Sequence, residues 1–226
     1  MKLALLVAAT AAAFASTSVN ANLITNGSFE SPLVPGSSFT GFPVGTGTLS
    51  GWSVVGPSGE AVFIVSGTFQ QNGVTFGAQD GAQWLDLTGF NNNSTEGVSQ
   101  SVATTSGHQY QLSYFVGNTT GGGIFGSTST VNVSVNGTPA YSDTNGTPSA
   151  TTQNWEQFVH TFTATSSLTT LSFFNGDPGG DNSNGLDNVV LLDQGTIAVA
   201  APEPISIGIL FGGIVGLGCA RYRRRT

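Results

Sequence analysis

The chain is short of positive charge and of cysteine, and each shortage closes off a class of function. Of its 226 residues five are lysine or arginine, against twelve aspartates and glutamates, for a formal net charge of −7 at pH 7. All five cations sit at the extremes: Lys2 at one end, Arg221, Arg223, Arg224 and Arg225 at the other. From Glu30 to Asp193 the chain carries eleven carboxylates and no permanent cation. Phosphate backbones bind through lysine and arginine that displace their counterions, so this stretch repels them and nucleic acid is excluded as a partner. Cations and neutral ligands remain.

The one cysteine, Cys219, falls in an apolar tail, where it reads as a small hydrophobe or a lipidation site. Residues 22–201 therefore hold no disulfide, no thiolate nucleophile and no cysteine-bound metal. Histidine is almost as scarce. His108 and His160 are the two present, and His160 falls between Phe158 and Phe162 on one strand face, where a hydrogen-bonded packing role is expected. No nucleophile, base and orienting acid come together in the sequence, so no catalytic residue is assigned and the protein is expected not to be an enzyme. Two carboxylates suffice for glycoside hydrolysis, but no spacing singles out a pair among the acids.

What the two ends do carry is trafficking chemistry. Residues 1–21 put Lys2 ahead of an apolar run and close on Val19 and Ala21, the pattern of a secretory signal peptide cut after Ala21. The other end begins at Pro202-Glu203-Pro204, continues through sixteen uncharged residues (205–220) and finishes in the arginine cluster. As a helix those sixteen residues measure about 24 Å, short of the roughly 30 Å hydrocarbon core, so Tyr222 and the arginines must snorkel to one interface. The cluster would hold that end in the cytoplasm and leave the domain outside. In this order the three parts resemble the PEP-CTERM sorting signal. The resemblance implies recognition by a membrane-bound exosortase, removal of the tail, and delivery to the surface or extracellular matrix of an exopolysaccharide-making Gram-negative bacterium. An ordinary membrane anchor is the alternative, and it too places the domain outside the cytoplasm.

Residues 22–192 read as one domain with a single sizeable core, joined by a linker (193–201) to the sorting signal (202–226). Short alternating segments dominate it. "HQYQLSYFV" puts Tyr110, Leu112, Tyr114 and Val116 on one face, and "VNVSV" does the same with Val131, Val133 and Val135. Eight more candidates are "NLITNGSFE", "WSVV", "EAVFIV", "QWLDLT", "GVSQSVA", "WEQFVHTFTAT", "LTTLSFF" and "LDNVVLL", separated by Gly, Asn, Asp and Ser clusters. Ten such strands with turns between them predict an all-β fold, a β-sandwich.

The landmarks "NLITNGSFESP", Gly51-Trp52, "DGAQWLDLTG", "GVSQSVATTSGHQYQLSYFVGN", "WEQFVHTFTATSSLTTLSFF" and "GLDNVVLLD" run in the order found in galactose-binding-like jelly rolls, such as carbohydrate-binding modules. That resemblance implies a jelly roll with Trp52 and Trp155 in its core. It also implies a structural calcium ion between Glu30 and Asp187, tying the first strand to the last; backbone carbonyls, amides or water would complete its six to eight oxygens. The loop around Asp177 and Asp181 lacks the ligand spacing of an EF-hand and reads as a Gly/Asn turn.

Sugar binding needs aromatic platforms beside amides and carboxylates, because a pyranose offers an apolar face and a ring of hydroxyls. Alternation in "GAQWLDLTG" puts Leu85 and Leu87 on one side and Trp84 with Asp86 on the other, so leucines facing the core turn Trp84 and Asp86 outward as the candidate ligand-binding pair. The alternative is a tryptophan packed beneath a loop. The expectation is an exported, non-catalytic surface or matrix protein that contacts exopolysaccharide or other glycans. A self-associating structural matrix protein and a glycoside hydrolase are the alternatives.

Overall fold

The computed structural model describes residues 21–45, 49–90, 95–177 and 179–196. The expected signal peptide (1–21), except for its last residue, and the whole expected sorting signal (202–226), with Pro202, Glu203 and Pro204, lie outside the described residues. Thirteen strands and no helix occur among them. In chain order these are β1 (Phe39–Pro43), β2 (Ser53–Val55), β3 (Ala61–Ser66), β4 (Gln70–Gln71), β5 (Val74–Thr75), β6 (Gln83–Asp86) and β7 (Gly97–Ala103). There follow β8 (His108–Asn118), β9 (Ser129–Val135), β10 (Thr138–Asn145), β11 (Asn154–Thr163), β12 (Leu168–Asn175) and β13 (Gly185–Thr196).

One sheet has six strands in the order β1-β3-β6-β13-β8-β11, a second has five in the order β10-β9-β12-β7-β2, and β4 pairs with β5 alone. Alternation explains what they enclose. Tyr110, Leu112, Tyr114 and Val116 of β8, Leu85 of β6 and Leu186 and Leu191 of β13 are buried in the same cluster as Val131 and Val133 of β9, Leu171 and Phe173 of β12 and Val98 of β7. Tyr114 and Phe173 meet edge to face across the two sheets, ring centroids 5.2 Å apart. This is a β-sandwich, with one apolar row from each strand in its core.

The edge strands β10 and β11 are tied to each other by polar groups. Asn145 Nδ2 donates to the carbonyls of Val116 (2.8 Å) and Asn154 (3.1 Å), and the Tyr114 hydroxyl donates to Asp143. His160 Nε2 lies 2.5 Å from Asp143 Oδ2 while its ring stacks on Tyr141 at 3.8 Å, so this histidine is a hydrogen-bonded packing residue.

Two sequence expectations are revised. "NLITNGSFE" is not a strand: the chain curls, with Asn26 and Phe29 at φ of 54° and 55° and the Phe29 N–H donating to Asn26 O (3.2 Å). The cause is Asn26, whose amide donates to the carbonyls of Ser31 and Ser50 and accepts from the Ser31 N–H, offering the backbone a turn in place of a ladder. The segment still lies along β13, since Leu23 N donates to Leu191 O and Val189 N to Gly27 O, each at 2.9 Å. Secondly, β13 runs on to Thr196, past the expected domain end at residue 192.

Candidate functional site

The outer face of the six-stranded sheet is covered over β3 and β6, while its β11 edge stays open, with Val159 52% exposed. Asn72 and Gly73, at φ of 53° and 79°, form the two-residue turn that joins β4 to β5, the geometry favoured in tight hairpins. This hairpin folds back over the sheet, held by Phe76 N donating to Phe69 O (3.0 Å) and Gly67 N to Ala82 O (2.8 Å). Beneath it Val65, Val74, Phe76 and Trp84 form a second buried cluster, with Phe63, Phe69, Phe125 and Trp155 packed against it. Trp84 is 1% exposed. Its indole N–H donates to Phe76 O and that of Trp155 to Gly77 O, both at 2.9 Å, so each tryptophan pins the covering loop.

Part of this interface stays open as a cavity of about 260 Å³. Phe39, Phe63, Phe69, Phe76, Trp84 and Phe125 supply its aromatic surface. Gln71, Asp86, Thr88, Asp181 and Ser183 supply its polar groups. Phe39 meets Phe63 and Phe69 edge to face (5.7 and 5.3 Å), and Phe90 meets Phe63 in the same way at 5.0 Å. Phe39 and Phe90 remain 51% and 58% exposed, a rim of rings in solvent beside a floor of rings out of it.

The polar wall is anionic. Asp86 accepts the Thr88 N–H at 2.8 Å, yet burial pushes its carboxyl up to about 6, with repulsion from Asp181 and Glu96 adding to the rise. Burial raises Asp181 as well. Glu96 is fully buried behind Gly89, where an added Cβ would stand 2.1 Å from its Oε1. Gly89 also sits at φ 78°, so sterics and backbone both require glycine there.

Asp86 and Trp84 thus occupy the sheet face that alternation assigned them, and both line the cavity, Trp84 as its buried floor. Trp52 is in the core against Phe29 and Phe173, whereas Trp155 lies in the second cluster against Trp84, outside the sandwich core where it was expected.

Glu30 and Asp187 converge on one turn, residues 79–83. Asp187, fully buried, accepts the N–H groups of Gln79 (2.9 Å) and Asp80 (3.0 Å) on Oδ2 and of Asn188 (2.7 Å) on Oδ1. Glu30 Oε1 accepts those of Ala82 (2.8 Å) and Gln83 (2.9 Å). Burial, seconded by the neighbouring Asp80 charge, raises Asp187 to about 7 despite these bonds. As metal ligands the pair is incomplete by itself: calcium takes six to eight oxygens, and among the described residues no group of three or more His, Cys, Asp or Glu gathers. Asp177 accepts from Thr130 N and from Asn184 Nδ2, the turn-stabilising role read from its loop.

The fold and cavity define a β-sandwich with a loop-covered patch on one outer face. The chain belongs to the family described as "Protein of unknown function (DUF642)", which matches residues 22–191. No curated protein matches it. Among solved structures it is similar to a family 16 carbohydrate-binding module (20% identity, covering 76% of this chain and 99% of that one, TM-score 0.45). It is similar also to the CBM22-1 xylan-binding domain from Paenibacillus barcinonensis (15% identity, 73% and 99%, TM-score 0.42). A third is an arabinose-bound α-L-arabinofuranosidase (16% identity, 77% and 26%, TM-score 0.45). At these values none of the three lends this chain a residue role or a ligand.

Proposed function

We propose that the protein is an exported, non-catalytic glycan-binding module that works at the cell surface or in the extracellular matrix, with exopolysaccharide as its ligand class. The observation that carries the binding reading is the cavity. Aromatic rings complement the apolar face of a pyranose, and Asp86, Asp181, Gln71 and Ser183 complement its hydroxyls. At about 260 Å³ the cavity is smaller than the ~300 Å³ at which drug-sized pockets begin, which suits one sugar ring. The exposed rings of Phe39 and Phe90 at its side offer stacking for the next unit of a polymer.

Affinity electrophoresis of the full chain in gels containing exopolysaccharide tests this. Retardation that drops about tenfold in Phe39→Ala/Phe90→Ala, a loss of ~1.4 kcal/mol, supports it. Self-association with no glycan effect favours the structural matrix reading instead.

The trafficking half of the proposal rests on residues 1–21 and 202–226. Mass spectrometry of the native secreted form reads both ends at once: termini near residues 22 and 202 support signal-peptide removal and exosortase processing, and uncut ends refute both. Calcium at Glu30 and Asp187 is a separate proposal, supported by the resemblance and by a buried carboxyl that a cation would help to ionise. A melting temperature raised by calcium and restored by a chelator supports it. An unchanged melt leaves the five amide donors as the whole of the joint.

A further inference from the structure

The glycan reading leaves the charge of the ligand open, and the cavity narrows it. Two of the polar groups lining it, Asp86 and Asp181, are carboxylates, and a third carboxylate, Glu96, stands behind Asp86 within electrostatic reach. No lysine or arginine occurs between residues 3 and 220 to offset them. The remaining surface is aromatic, and the faces of such rings attract cations by up to about 2 kcal/mol when water is excluded. Both surfaces therefore favour the same guest, one with an apolar body and a positive charge.

We propose that the cavity selects sugar units that carry a free, protonated amine. This rests on the glycan reading and sharpens it. A uronic acid would meet Asp86 and Asp181 as like charges. An N-acetylated sugar loses the cation and adds an acetyl group to a cavity of about 260 Å³, so it is disfavoured by charge and by volume together. A neutral hexose keeps the stacking and the hydroxyl contacts but gains nothing from the acids. The ranking follows: amine first, neutral hexose second, N-acetylated sugar third, uronic acid last.

Isothermal titration of the full chain at pH 7 in about 0.15 M salt tests this ranking, with the disaccharide of glucosamine against its di-N-acetylated form. The expected result is binding about tenfold tighter for the amine. Asp86→Asn/Asp181→Asn should cut that preference by at least about threefold, the remainder coming from the acetyl volume and the pull of the rings on the amine; an undiminished preference overturns the proposal, and Asp181→Asn alone serves if the double variant fails to fold. Glu156→Gln, which removes one negative charge on β11 outside the cavity, should leave the preference intact; an equal loss there would mean general attraction to an acidic protein and would overturn the proposal. Equal or weaker binding of the amine overturns the selectivity and leaves the glycan reading standing. Binding of neither disaccharide, nor of any neutral glycan, overturns both.

Discussion

The two buried regions of this molecule are built on opposite plans. The core between the sheets is made by alternation, each strand sending one row of Val, Leu, Ile, Tyr or Phe inward. The second region, on the far side of the six-stranded sheet, is made by a loop: the β4–β5 hairpin and Phe125 come down on Val65 and Trp84, and two indole N–H groups hold the loop through its carbonyls. Alternation leaves no gap, since neighbouring rows interdigitate. A loop laid over a sheet leaves one, and there the carboxylates of Asp86 and Asp181 share a space with six aromatic rings. A region built that way has room for a ligand and a lower barrier to opening.

The largest effect should come from breaking the core. Phe173→Ala removes a fully buried ring that contacts Trp52 and Tyr114, at a cost of about 3–5 kcal/mol, and denaturant unfolding should show both regions lost together. Next comes pH. Asp86 and Asp187 are both raised above the ordinary 3.8, so the stability each contributes is complete below that value and is lost as pH climbs through about 6 and about 7. Melting temperature should therefore fall between about pH 4 and about pH 8. Asp86→Asn should lessen the fall below about pH 6 only, whereas Asp187→Asn should lessen it throughout and remove the part between about 6 and about 7, measured by differential scanning calorimetry.

A smaller effect separates the regions. Gly73→Val puts a β-branched residue at φ 79° and should cost about 1–3 kcal/mol. Hydrogen exchange should then quicken at Phe76 and Gly67, whose N–H groups hold the hairpin, while Leu112 and Leu191 stay protected; equal acceleration in both sets would make the two regions one cooperative unit. Smallest of all, Phe90→Ala should change stability by less than about 0.5 kcal/mol, because the ring is mostly in solvent, while weakening glycan retardation.

Nine of the ten strand segments read from the sequence are strands, and the reason is physical: each carries its own alternating row, visible without knowing its partner. Two of the four edge strands, β1 and β10, were not legible. β1 contains Gly41 and ends on Pro43, and β10 contains Pro139 and a register shift beside it, features that an edge strand tolerates and that hide it from pattern reading. The hairpin had a signal, Asn72-Gly73, that the period-two search passed over. Of the cavity, Trp84 and Asp86 could be placed on the correct face because they sit in a strand. The rings of Phe39, Phe63, Phe69, Phe76 and Phe125 come from β1, β3 and the covering loops, and nothing local says that these segments meet. Asp181 reads as a turn residue for the same cause; its approach to Asp86 is a matter of tertiary structure.

The central claim is that the covered face of the six-stranded sheet holds a glycan, and a glycan array probed with the full chain beside Phe39→Ala/Phe90→Ala tests it most directly. The account predicts binding to at least one sugar, strongest where a free amine is present, with the signal lost in the double variant while its melting temperature stays near that of the parent. Binding that survives the loss of both rings, or an array with no signal from the folded parent, would contradict it.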